Sequence, residues 1–598
     1  MKEYHQQWDL DAIFPGGSDS VELTTYVANI ELRISELHQH VQNFVFPKIP
    51  EQTKELREVI DHAQEAAKRL KEFSAFISCL SAQDVKDKQA QMWVSKRTEL
   101  SAKYNNIQTE FDQKLVQIDS STWKALMLES ELSELAFVLD ERREKAKDKL
   151  DLEQETLINN LAVDGYHGWG QLYDTLVGRM SLPYKGEKLS VGQAANKLSD
   201  SDRTIRKEVF NNWQLAWQEE SDVFTETLNH LAGFRLQTYK HRGWDNPLKE
   251  PLSYNRMSEK TLKAMWDTIT KYKSYYTKFL KEKAEWIGID KLSIYDVDAP
   301  IGNVERKMEY TEGARFIVEQ FERFSPLMAS FARKAFEKRW IEAEDRPGKR
   351  PGGFCTSFPH SKETRIFMTY SGTLSNIATL AHELGHAYHQ HVMNDLPIYN
   401  QSYAMNVAET ASTFAEMIVA DAAVKSVADP KEKLLLLEDK IQRSVAFFMN
   451  IHSRYLFEIR FYNERKAGKV STERLNELMV EAQEEAYQDS LSEYDPTFWA
   501  SKLHFHITGV PFYNFPYTFG YLFSLGIYAK AAKEGHAFEK KYIALLQDTG
   551  VMNVEDLAKK HLGVDLEDTE FWEEALKLCT ADVEEFIELS STLKQRSE

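Results

Sequence analysis

The segment His382-Glu383-Leu384-Gly385-His386 constrains this chain more tightly than any other. Residues four apart in an α-helix lie one turn above each other on the same face, so the imidazoles of His382 and His386 converge if the segment is helical. Two imidazoles so placed suit a divalent cation, zinc first among them. Glu383, one step round the helix, then reaches a water on that cation as general base without being a ligand itself. The flanking residues agree with a helix. Ser375 or Asn376 is placed to cap its start, Ile377, Leu380, Ala381, Leu384 and Tyr388 form an apolar stripe, and the next proline is Pro397. Gly385 is unusual in a helix interior, where it costs about 1 kcal/mol relative to alanine; a backbone or substrate passing close by accounts for it.

A catalytic zinc takes three protein ligands and keeps a position open for water. The pattern H-E-x-x-H-x-x-G-x-x-H is excluded, because its last two fixed positions are His389 and Val392 here. His389 and His391 are weaker candidates than a glutamate from a following helix. Such a helix is predicted over 405–421, rich in small residues that allow close approach. It carries Glu409, 27 positions after His382, and Glu416 two turns further on the same face. Carboxylates among Ala, Val, Phe and Ile are costly to bury without a partner, and a cation with its histidines supplies one. Glu409 is the predicted third ligand. Glu416 is either an acceptor for an imidazole N–H behind the metal or a surface glutamate.

A polarised carbonyl also needs donors aimed at the developing oxyanion. The segment 503–521 is the best reservoir: it holds His504, His506 and a Gly-Val-Pro break at 509–511, and then Tyr513, Tyr517 and Tyr521 at four-residue spacing. The tyrosines share a face if the segment is helical, a condition that Pro516 opposes. Cys355 lies near the motif in sequence, but no base or orienting group that would make it a nucleophile is identifiable.

The 598 residues are 42% hydrophobic and 12% aromatic, enough for a large core and unlike a disordered chain. Formal net charge is -19, and basic runs such as 142–149 are interrupted by acids, which excludes a nucleic-acid binder. Three widely spaced cysteines suggest no disulfide framework and point to a reducing cytoplasm. The first residues lack the apolar core of a signal peptide and no 18-residue apolar run occurs, so neither export nor membrane association is expected.

Helical periodicity dominates the rest. After a turn at 15–17 it runs to about 118, with Leu56, Val59, Ile60, Ala63 and Leu70 in register, and again over roughly 130–163. The cluster at 166–170 marks a break or a tight packing point, and 182–190 reads as a hairpin turning at Lys185-Gly186. From about 200 the chain is mostly helical, with Ser258 capping one helix and another starting at Thr311. The strongest strand signal is 364–370, after the basic, glycine-rich loop 347–354. That strand either presents an open edge to an extended peptide or is an ordinary packed strand. No fixed repeat or low-complexity linker appears, so two interlocked regions are expected.

The opening Trp8-Asp-Leu with Ile13-Phe14, the block Arg350-Pro-Gly-Gly-Phe-Cys355, the motif Ala381-His-Glu-Leu-Gly-His-Ala387, Glu409-Thr-Ala-Ser-Thr with Glu416, and the late His-Phe followed by Pro511-Phe-Tyr-Asn-Phe-Pro-Tyr-Thr-Phe-Gly520 span almost the whole chain. In these marks it resembles the oligoendopeptidase F branch of the thimet-oligopeptidase-like zinc peptidases. The resemblance implies one zinc ion held by His382, His386 and Glu409, with Glu383 as catalytic acid/base. It maps the family's late histidine onto His504 in preference to His506, and its tyrosines onto Tyr513 and Tyr517, with Tyr521 the alternative. It also implies a mostly α, bowl-like fold with a deep substrate channel and a small β-sheet near the active-site helix. Residues 1–199 would wall the channel and 200–598 would form the zinc peptidase domain. The expected function is hydrolysis of internal bonds in short peptides; a carboxypeptidase with a related helical site and a non-catalytic peptide-binding protein are the alternatives.

Overall fold

A computed structural model describes residues 3–48, 52–302 and 307–595. Amphipathic helices account for most of them. The helix Val21–Asn43 starts where the Ser20 side chain accepts from the Leu23 amide, and it buries Leu23, Val27, Ile30, Ile34, Leu37 and Val41, one stripe at three- and four-residue spacing. It packs on Thr53–Gln83 and Lys88–Val116. The periodicity read through to about 118 is interrupted at 84–87, where the Asp87 side chain accepts from the Ala90 amide and starts a new helix. The second expected run is likewise divided, into Ala136–Lys147 and Leu152–Ala162, because Asp151 caps a fresh helix.

The cluster at 166–170 is a packing point and not a break. A π-helical turn, Val163–His167, carries the chain straight into the helix Gly168–Arg179. The Tyr166 hydroxyl donates to the Thr508 carbonyl at 2.8 Å, and a Cβ on Gly170 would stand 3.2 Å from the His506 carbonyl oxygen. The hairpin is present as β1 (Ser181–Tyr184) and β2 (Glu187–Ser190), with Lys185 and Gly186 both at positive φ, the turn that matches strand twist. Ser258 caps Glu259–Ile287 as expected, and the helix expected at Thr311 begins one residue earlier, as Tyr310–Phe324.

The remaining sheet has β3 (Ile341–Glu342), β4 (Phe354–Phe358) and β5 (Glu363–Phe367) in the order β3-β5-β4. The strand predicted at 364–370 is β5. It lies in the middle, parallel to β3 and antiparallel to β4, so the open-edge reading of it is wrong: both of its edges are already paired. β4, an outer strand, runs beside the motif helix.

Apolar side chains gather in two large cores. One joins Trp8, the first helices and Phe358, Phe367 and Tyr399; the other runs from Tyr173 to Phe586 around the motif helix. No helix among the described residues is long and apolar enough to cross a membrane. Arg256 clamps the two halves together. Its Nε and Nη2 hold the Glu141 carboxylate, each at 2.9 Å, while Nη1 donates to the Gly550 carbonyl at 2.9 Å and the Ser402 carbonyl at 3.2 Å. Arg256→Met strips a mostly buried pair of one partner and is expected to cost about 3 kcal/mol, read as a lower denaturation midpoint. An unchanged midpoint would show that apolar contacts alone join the cores.

Candidate metal centre

The motif lies on the helix Leu374–Met393, and its predicted stripe of Ile377, Leu380, Ala381, Leu384 and Tyr388 is buried. The cap differs from the expectation. Thr373 accepts from the Asn376 amide, while the Asn376 side chain turns back to accept from Ser371, which frees Ser375 and Asn376 from the capping role.

Gly385 is explained by backbone and not by substrate. A Cβ there would stand 2.4 Å from the Ala411 carbonyl oxygen and 2.6 Å from the Ser412 Cα, because the helix Thr410–Ser426 crosses the motif helix at this point. A second glycine repeats the device: a Cβ on Gly520, in the helix Phe515–Glu534, would meet the Asn406 carbonyl at 2.9 Å and the Glu409 Cβ at 3.0 Å. Glu409 is thus pinned from two sides. It sits at the joint between Met405–Ala408 and Thr410–Ser426, with φ -83 and ψ 1, rather than inside the single helix expected over 405–421.

Pinned there, its Oε2 lies 3.3 Å from His382 Nε2 and 3.5 Å from His386 Nε2. One donor atom from each of the three residues can be chosen so that all lie within 4.8 Å of one another. Metal–ligand bonds of about 2.0–2.1 Å at tetrahedral angles hold donors about 3.4 Å apart, so this cradle fits a zinc ion. The protonation states also fit. Burial opposes the Glu409 charge, but the two histidines and the Ser412 hydroxyl, which donates at 2.7 Å, hold its carboxyl down at about 2. Burial pushes His386 down to about 4, leaving it the neutral imidazole that ligation needs.

Glu416 stands behind His382, its Oε2 2.9 Å from Nδ1, and its other oxygen engages Arg443. An Nδ1–H donated to Glu416 leaves the Nε2 lone pair facing Glu409. Glu383 is buried, at 7% exposure, and its Oε2 has no hydrogen-bond partner among the described residues. Burial pushes its carboxyl up to about 7, with His382 opposing and Glu409 adding to the rise. Gly353, just before β4, leaves room for it: a Cβ there would lie 3.4 Å from Glu383 Oε1.

The late aromatic segment divides as the structure dictates. Pro516 falls in the first turn of Phe515–Glu534, where a missing N–H costs nothing, so Tyr517 and Tyr521 are helical and Tyr513 lies just before them. His504 and Tyr513 have ring centres 5.2 Å apart, and the Tyr513 and Tyr517 hydroxyls are 3.4 Å apart. Tyr517 lines a cavity of about 540 Å³ together with His382 and Glu409. Tyr521 lines the same cavity but is almost fully buried, stacked on Phe447 and hydrogen-bonded to Ser444 at 3.0 Å. His506 is buried against Tyr173, ring centres 3.9 Å apart. His389 is fully buried, stacked on Tyr403 and 2.9 Å from the Thr549 hydroxyl, and His391 stacks on Phe331. Burial and the neighbouring Glu383 carboxylate push the Cys355 thiol well above its ordinary range, the reverse of what a nucleophile requires. Sequence reasoning missed Arg443, which belongs to no motif, and Ser412, whose position three residues after Glu409 was readable.

A family model described as peptidase family M3 matches residues 197–578. The chain belongs to that family. A second model, described as oligopeptidase F, matches residues 114–181 of this M3 peptidase, which lies in the oligoendopeptidase F branch. The M3 chain is 25% identical over 541 residues to the group B oligopeptidase PepB of Streptococcus agalactiae, covering 87% of this chain and 86% of the relative. It is 23% identical over 589 residues to an oligoendopeptidase F homolog of Lactococcus lactis, covering 96% and 95%. Its fold is that of the oligoendopeptidase-F from Enterococcus faecium, with a TM-score of 0.69, 16% identity and coverage of 95% and 98%. The protein is a metallopeptidase.

Gly385→Ala forces the Thr410–Ser426 helix off the motif helix. The expected cost is about 1–3 kcal/mol of stability, with weaker retention of zinc on dialysis. Unchanged stability and metal content would show that the crossing relaxes freely.

Proposed function

We propose that this M3 peptidase is a zinc-dependent endopeptidase that hydrolyses internal bonds of short oligopeptides. The observation that carries the reading is the unpartnered, buried Glu383 carboxylate beside the His382, His386 and Glu409 cradle. Zinc in that cradle supplies Lewis acidity, which acidifies a water and polarises a carbonyl. Glu383 takes the proton of the attacking water and hands it to the leaving amine nitrogen. Glu416, backed by Arg443, orients His382. His504, Tyr513 and Tyr517 form the donor cluster for the developing oxyanion.

Residues 1–199 wall a channel that admits an extended chain and excludes a folded one, and residues 200–598 form the peptidase domain. The printed names of the relatives, oligopeptidase and oligoendopeptidase, support the substrate class. Three free cysteines accord with a cytoplasmic enzyme.

Glu383→Gln should retain zinc and lower turnover by about 10²–10⁴-fold. Retained turnover in a preparation free of contaminating peptidase rules out the proposed base. A doubly blocked, internally quenched peptide of about eight to ten residues tests the endopeptidase reading. Internal cleavage that vanishes with a chelator and returns with zinc is expected. Cleavage only of peptides with a free C-terminus would favour a carboxypeptidase, and none at all with zinc bound would favour a binding protein.

A further inference from the structure

A second cavity, of about 280 Å³, opens beside the donor cluster and is lined by Arg454, Lys502, Asn450, Phe498, Asp298 and Asp495 among others. Local structure brings its two cations together. Arg454 stands in the first turn of Ile451–Arg465, directly after the π-helical turn Ala446–Asn450. Lys502 occupies the joint between the short helix Phe498–Ser501 and the 3-10 turn Leu503–Phe505 that carries His504. Both charged groups lie over one ring, Lys502 Nζ at 4.7 Å and Arg454 Cζ at 5.3 Å from the centre of Phe498.

Neither cation is neutralised. Arg454 donates to the side-chain oxygens of Asn450 at 2.8 Å and Asn514 at 3.0 Å, both uncharged. Lys502 has no hydrogen bond or ion pair among the described residues, and its ring contact with Phe498 leaves the charge uncompensated. The two carboxylates on the cavity wall are engaged elsewhere: Asp495 accepts from the Thr497 amide and hydroxyl, and Asp298 accepts from Gln442. Burial pushes Lys502 down to about 8, with Arg454 adding to the effect, and burial lowers Arg454 to about 10; both remain cationic at neutral pH. Two desolvated cations held side by side without a counterion are costly, and a ligand of opposite charge offsets that cost. The site is continuous with the proposed catalytic donors: Asn514, which holds Arg454, follows Tyr513 directly, and His504 is two residues beyond Lys502.

We infer that Arg454 and Lys502 form an anchor for a carboxylate of the peptide substrate. This rests on the peptidase reading above and adds to it a preference for peptides that bring a negative group to this position. A planar guanidinium and a mobile ammonium together accept either a terminal α-carboxylate or an acidic side chain.

The test uses three internally quenched peptides of one sequence that contains no other acid: the free C-terminal acid, its amide, and an amide ending in glutamate. With the wild-type enzyme the free acid is expected to have a KM about tenfold below that of the plain amide, with kcat within about twofold. Lys502→Met should raise the KM of the acid to that of the amide and leave the amide unchanged, while Lys502→Arg keeps the difference. The glutamyl amide identifies the source of the charge. Behaviour like the acid means a side chain serves, and behaviour like the plain amide means the terminus does; either supports the anchor. Equal KM values for acid and amide in the wild type overturn it and need no variant to fold. An equal loss for both peptides in Lys502→Met also overturns it. Cleavage of the plain amide in each case shows that the peptidase reading stands independently.

Discussion

The backbone of Ala411 rests against Gly385 with no side chain between them, and the metal centre depends on that contact. Two helices normally keep about 8–10 Å between axes because side chains fill the gap. Removing the side chain at the crossing lets Thr410–Ser426 approach until Glu409, at its start, faces both histidines. Gly520 does the same from the opposite side, so the carboxylate is fixed by packing before any metal arrives. The cost of a glycine in each helix is about 1 kcal/mol, small against a ligand held in position.

Charge distribution follows from the same packing. Glu409 is held ionised by histidines and Ser412, Glu383 is lifted by burial, and His386 is kept neutral by burial. Three groups within one turn and a half of helix therefore sit in three different protonation environments, the condition under which ligand and base stay distinct. Glu416 extends the order outward, since its contact with Arg443 fixes the carboxylate that in turn fixes His382.

Much of the site was legible because its motifs are short-range. His382, Glu383 and His386 share one helix, and the i, i+4 rule needs no tertiary information. Glu409 could be proposed from acidic residues stranded among small ones. The tyrosine segment was less legible, since whether Pro516 breaks or begins a helix depends on what precedes it, and Asn514 and Tyr513 are placed by contacts with distant helices. The choice of His504 over His506 followed from a resemblance, and burial of His506 against Tyr173 gives it a physical basis. The strand 364–370 was found, but its neighbours were not: β3 and β4 are short, and pairing is a non-local fact that periodicity does not carry.

The sequence by itself determined the helical class, the face on which the two histidines lie, the residue placed to act as base and the hairpin turn at Lys185-Gly186. Each is local, governed by spacing of a few residues and by backbone preferences. Tertiary structure alone decided that Gly385 serves a helix crossing, that β5 is central, that Arg443 backs Glu416, and that Arg454 and Lys502 share a cavity without a counterion. These depend on which surfaces meet after the chain has folded back over hundreds of residues, and burial, which sets the energy of every charge in the site, exists only then.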